Sequence, residues 1–93
     1  MKVIEIEGIE VDARYARDLK ALEYDVKRAI YLHDGLREGL KQAVTWFVFV
    51  RCASVPRKGA DAKKRRKFRK GLKKLFDSFG LPGSEAAKIY TKF

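Results

Sequence analysis

Residues 44–50 read VTWFVFV, and whether they form a helix or a strand decides the fold. Taken alone the segment is β-branched and aromatic, which favours a strand. Its surroundings favour a helix. No Gly, Pro or Asn interrupts Gln42-Ala43-Val44-Thr45 to mark a change of structure. Leu36, Leu40, Ala43, Phe47, Val50 and Ser54 recur at steps of four and three, the rhythm of one helical face. The preferred reading is a helix over 35–54, apolar on all sides and set in the middle of a bundle. Were 44–52 a strand instead, it would join the N-terminal strands and the fold would be α+β.

Upstream, residues 2–11 alternate. Ile4, Ile6, Ile9 and Val11 are apolar, Glu5, Glu7 and Glu10 polar, and Gly8 breaks the run, so a β-hairpin turning at Glu7-Gly8 is expected. Two strands are marginal alone and should lie on helices. A helix over 13–33 follows, with Asp12 as N-cap. Its inner face carries Tyr15, Leu19, Leu22, Val26, Ala29, Ile30 and His33. Arg14–Asp18 and Glu23–Lys27 have the spacing of i,i+4 ion pairs. Gly35 is the expected left-handed residue that ends it.

Downstream, Pro56 and Gly59 mark a linker and Asp61 caps a third helix over 61–79. Gly80-Leu81-Pro82 is a stop signal. Ser84 is expected to cap a short last helix over 84–92, with Ala86, Ile89, Tyr90 and Phe93 inward. The 93 residues are 46% hydrophobic and include eleven aromatics, enough for one modest core and one domain. The fold class is mostly α: a bundle of about four helices with a short N-terminal hairpin.

The charge distribution carries the functional information. Residues 57–74, RKGADAKKRRKFRKGLKK, hold eleven of the 22 basic side chains and one acid, Asp61. The segment is therefore +10, the net charge of the whole chain, and the rest sums to zero. A neutral body with one positive pole is suited to a polyanion. With Phe68 at zero on a helical wheel, Leu72, Leu75 and Phe79 fall within about 40°. Lys63, Arg66, Lys67, Lys70, Lys73 and Lys74 occupy the opposite half, Arg69 the flank. Lys64 and Arg65 fall nearer the apolar side, at a frayed first turn or reaching sideways. Asp77 interrupts the basic face near its end. The candidate nucleic-acid-binding set is Arg57, Lys58, Lys63, Lys64, Arg65, Arg66, Lys67, Arg69, Lys70, Lys73 and Lys74.

Lysine is a point charge that neutralises phosphate; Arg, Asn and Gln read bases. The chain has no Asn and one Gln, Gln42, so little sequence specificity is expected. The plainer alternatives are a solvated helix face, an import-like patch or a membrane-surface patch. Dense lysines that nothing neutralises repel one another, and the phenylalanines of the apolar face are needed in the core. A secondary face, Tyr24, Arg28 and Tyr31 at i, i+4 and i+7, interleaves aromatics with a cation and could stack on unpaired bases. The simpler expectation is that Tyr24 and Tyr31 pack against the hairpin or the last helix.

Catalytic and metal motifs are lacking. One His, His33, and one Cys, Cys52, do not make a zinc site, and neither phosphate-binding glycine motif occurs. Cys52 is expected as a buried thiol rather than the partner of His33 in a nucleophile pair. Neither enzymatic activity nor a cofactor is expected. One cysteine excludes an internal disulfide, MKVIEIEG lacks a signal-type apolar core, and 44–50 is too short to span a bilayer, which takes about 20 residues. A soluble cytoplasmic protein without membrane partners is expected.

Two functions fit. In one, the chain is a small non-catalytic protein that grips the phosphate backbone of RNA or DNA. In the other, it docks on a host nucleoprotein complex and blocks nucleic-acid access through its basic face. In size and single-domain economy it resembles small phage-encoded inhibitors of host defence such as anti-CRISPR proteins. No motif carries that resemblance, and it assigns no residue a role.

Overall fold

The stretch 44–50 is helical. In the computed structural model, which describes residues 2–14, 18–33 and 35–93, α2 runs over Leu36–Trp46 and continues as a π-helical turn over Phe47–Arg51. The wider turn lets Phe47 and Val48 stay buried while Phe49 and Val50 reach solvent, 48% and 47% exposed. The helix is thus not enclosed on all sides, and Leu36, at its start, is also exposed. It ends at Arg51 rather than near 54. Cys52 is extended and pairs antiparallel with Val11, so strand character survives at that one residue.

Strands β1 (Val3–Ile6) and β2 (Ile9–Asp12) form the antiparallel hairpin, with Ile6 opposite Ile9. Glu7 and Gly8 both take positive φ, 52° and 80°, as the tight primed turn requires. Ile9 and Val11 enter the core. Asp12 does not cap the first helix. It is buried, and its carboxylate accepts the backbone N–H and the guanidinium of Arg14, both at 2.9 Å. Arg14 therefore pairs backward with Asp12 rather than forward with Asp18.

Helix α1 covers Leu19–Tyr31, starting at Leu19 instead of 13. Asp18, in extended backbone, is the cap, and its side chain accepts the Ala21 N–H at 2.8 Å. Tyr15 lies outside the described residues. Leu22 and Val26 are fully buried, whereas Leu19 and His33 are exposed. The Glu23–Lys27 pair forms at 2.9 Å. The helix closes on Leu32, and Gly35, with φ 83° and ψ 145°, stands at the head of α2 instead of being a left-handed cap.

Helix α3 covers Ala62–Ser78, opened by the Asp61 side chain on the Lys63 N–H at 2.8 Å. It stops in a Schellman motif. Gly80, φ 76°, donates to the Asp77 carbonyl and Leu81 to the Phe76 carbonyl, both at 3.0 Å. Helix α4 covers Gly83–Thr91. Ser84 is not its cap: Pro82 holds that position, and the backbone N–H of Gly83 is taken by Asp77 of α3.

Among the described residues the fold is four helices and one hairpin, a mostly α domain. Helix α1 packs mainly on α2, and α3 on α4; α4 joins the two pairs, and β2 lies on α3. Phe47, Phe68, Leu72, Leu75, Phe76 and Tyr90 fill the centre. No helix among the described residues is long and apolar enough to cross a membrane.

Candidate nucleic-acid interface

Helix α3 is positioned by its apolar stripe. Phe68, Leu72, Leu75, Phe76 and the following Phe79 are all buried, so the remaining arc must face outward. On that arc Lys63, Lys64, Arg66, Lys67, Arg69, Lys70, Lys73 and Lys74 are exposed, as are Arg57 and Lys58 in the linker; Arg65 is half-buried. Among the described residues, one of these eleven cations is paired with an acid: Lys73, whose Nζ lies 3.0 Å from Asp77.

The placement opposes helix electrostatics. A helix N-terminus is its positive end and stabilises acids there, each by about 0.3–1 kcal/mol. The first turn of α3 contains no acid and the last turn no base. The cations crowd the wrong end, with Lys63, Lys64, Arg65, Arg66 and Lys67 consecutive within the first two turns. An isolated α3 face would gain from the reverse order. An anion laid across this end would be attracted both by the side chains and by the helix.

The two basic residue types divide between the flanks. On the wheel, Arg65, Arg69 and Arg66 fall at about +60°, +100° and +160° from Phe68. Lys64, Lys67, Lys74, Lys63 and Lys70 fall at about −40° to −160°. The arginine flank faces α4, where Arg65, Arg66 and Arg69 line a shallow cleft with Ala62, Tyr90 and Thr91. The lysine flank lies on the hairpin side, and Lys67 runs beside Gly8. Lys73, the exception at about +140°, is the cation tied to Asp77.

Arg65 reaches sideways. Its Nη2 points to the Thr91 carbonyl at 3.5 Å, and its guanidinium lies 5.5 Å from the centre of the Tyr90 ring. Tyr90 is itself buried, and its hydroxyl donates to the Pro56 carbonyl, which anchors the linker beside Arg57. Arg57 lies over the Phe49 ring at 4.7 Å. Asp77 is held below the ordinary carboxylate range, first by the Lys73 ammonium and then by the Gly83 N–H.

Tyr24 and Tyr31 do not pack against the hairpin or the last helix. They are 65% and 87% exposed, with Arg28 exposed between them. They ride on α1, in the other helix pair, so this face is separate from the cations of α3. Sequence reading missed two contacts near here, the Arg51 guanidinium 4.4 Å from the centre of the Trp46 ring and the Arg57–Phe49 stack. Each involves a residue of the π turn, Arg51 in the first and Phe49 in the second. Cys52 is half-buried, and burial pushes its thiol up to about 12. Among the described residues, no three His, Cys, Asp or Glu side chains gather into a metal-holding group. No protein-family model, curated protein or solved structure matches the chain.

Proposed function

We propose that this chain is a small non-catalytic nucleic-acid-binding protein acting in the cytoplasm, and that α3 with the linker before it contacts the phosphate backbone of RNA or DNA with little sequence specificity. The observation that carries the reading is the set of cations without acidic partners on the positive end of α3, stable there at a cost that a polyanion removes. Lysines on the hairpin flank neutralise phosphates as point charges and leave bases unread.

The experiment is a salt titration of binding to a single-stranded RNA, a duplex DNA and heparin. Six neutralised phosphates give a log–log slope of about −4 to −5. Replacing Lys63, Arg66, Lys70 and Lys73 with Ala removes four exposed side chains, together with the solvent-facing Lys73–Asp77 pair, so the fold should persist and binding should be abolished. Normal binding by that variant sinks the reading.

A second reading is favoured by the exposed apolar corner where α1 meets α2. Tyr31, Leu32 and Leu36 there are 87%, 69% and 55% exposed. In it, the corner docks on a protein of a nucleoprotein complex, and the basic face blocks access of nucleic acid. It predicts weak binding to naked nucleic acid and tight binding to the assembled complex.

A further inference from the structure

We infer that the α3–α4 edge is a nucleotide site for single-stranded nucleic acid, in which Arg65, Arg66 and Arg69 seat a phosphate and Phe49 with Arg57 supplies the stacking surface for a neighbouring unpaired base. The inference rests on the backbone-binding reading and adds to it the strandedness and the division of labour between arginine and lysine.

Three features make the cleft a phosphate seat. Its cations are all arginine, whose planar forks bind phosphate through paired N–H groups where lysine offers a point charge. Its wall is lowered by Ala62, one turn before Arg65 and Arg66. Arg65, half-buried with its Nη2 on the Thr91 carbonyl, is held in place at the edge of the cleft, and the exposed forks of Arg66 and Arg69 stand beside it to take the phosphate. Arg65 and Arg69, at i and i+4, also repel, and a shared anion relieves that repulsion.

The stacking surface is continuous with the seat. From the cleft the chain of rings runs from Tyr90 to Phe93, 6.2 Å between centroids, and from Phe93 to Phe49, 5.0 Å. Arg57 then covers part of Phe49. Phe49 remains 48% exposed although Val48 beside it is fully buried. Arg57 is exposed, so the outer plane of its guanidinium, backed by the half-exposed Phe49, is the surface left for a base, one ring, Phe93, away from Tyr90 of the cleft. In a duplex the base faces are already stacked, and such a surface contributes nothing. On a single strand every base has a free face, and aromatic and arginine planes are what it stacks on.

The test compares oligothymidylate with a blunt duplex of equal phosphate count at one salt concentration, by fluorescence anisotropy, for the wild type and two variants. Phe49→Leu keeps an apolar filler and removes the ring. Arg66→Lys with Arg69→Lys keeps the charge and removes the forks. Wild type is expected to prefer the single strand by roughly tenfold, in line with one stacked base. Phe49→Leu should erase most of that preference and leave duplex binding unchanged. The double lysine variant should weaken single-strand binding severalfold with the salt slope retained. Equal wild-type affinity for the two forms overturns this inference and leaves the backbone-binding reading standing. So does single-strand binding at wild-type affinity by either variant. Absence of wild-type binding to both forms overturns the backbone-binding reading itself. Thermal melts of both variants check the fold, and the lysine pair, being exposed, keeps the test decisive if Phe49→Leu loses stability.

Discussion

The Asp77 carboxylate, on the last turn of α3, accepts the Gly83 N–H at 3.0 Å and so closes the start of α4. Its other oxygen takes the Lys73 ammonium at 3.0 Å. The two helices meet so closely there that a Cβ on Gly83 would run into the Lys73 carbonyl and the Asp77 carboxylate. Gly83→Ala should therefore lower stability by about 1–3 kcal/mol, the usual range for overpacking against backbone that does not yield. Denaturant unfolding measures it; an unchanged midpoint would mean that the α3–α4 junction is looser than its geometry.

Acid should weaken the fold through two carboxylates. Asp77 is held low by Lys73 and the Gly83 N–H, and Asp12 by the side chain and backbone N–H of Arg14. A carboxylate depressed in the folded state stabilises it above the unfolded value, about 3.9, and loses that contribution as pH falls through the folded value. The melting temperature should thus hold above about pH 4 and fall below it. Asp77→Asn removes one of the two titrating groups and should flatten the acid limb. A limb as steep as that of the wild type would assign acid sensitivity to other groups.

Local signals and distant ones separate clearly in this chain. The Glu7-Gly8 turn, the Asp61 cap and the Gly80-Leu81-Pro82 stop are written in adjacent residues, and each forms where its residues stand. The apolar rhythm of α3 likewise determines which of its faces is buried. Asp12 misleads because it looks like a cap, while Arg14, two residues on, claims its carboxylate. Ser84 misleads because its rival, Asp77, comes from another helix. The exposure of Tyr24 and Tyr31 follows from how α1 sits on α2, which no window of sequence contains. For the candidate interface, all eleven cations were legible as charge. The arginine cleft was not, because it needs Tyr90 and Thr91 of α4 as its far wall.

Gly71 reverses the usual effect of alanine. At an exposed mid-helix glycine, alanine adds about 1 kcal/mol of stability. At Gly71, which is buried, a Cβ would strike the Glu7 carbonyl and lie 3.1 Å from Ile9 Cγ1. The hairpin docks on α3 through this gap, so Gly71→Ala should lift it and destabilise the protein by about 1–3 kcal/mol despite the better helix former. Chemical-shift changes should centre on Glu7 and Ile9. A stabilised variant would show that the hairpin moves aside without loss.

Cys52 should be chemically quiet in the folded protein. With its thiol pushed up to about 12 by burial, it stays protonated at pH 8 and is a poor nucleophile. Alkylation by iodoacetamide should be slow until denaturant is added. The same shift has a thermodynamic side. The unfolded thiol ionises near about 8.5. The folded one retains its proton, so stability is intact below that pH and declines as pH rises toward 12. Equal alkylation rates with and without denaturant would place the thiol in open solvent.

The crowding of cations at the start of α3 predicts a trade between stability and binding. Lys63 and Lys64 are exposed in the first turn, at the positive end of the helix. Lys63→Glu with Lys64→Glu reverses two unfavourable dipole interactions and sets the first new carboxylate four residues before Lys67, a favourable pairing. The variant should melt higher than wild type at low salt, by about 1 kcal/mol of added stability. Added salt should raise the wild-type melting temperature more than that of the variant, because screening relieves repulsion that the variant no longer has. Nucleic-acid binding should fall at the same time, since two phosphate partners have become acids. If the variant is more stable and still binds normally, the first turn is a solvated face and contact begins further along α3. If it is less stable, Lys63 and Lys64 are held by interactions that outweigh the dipole, and the unfavourable placement no longer argues for an anionic partner.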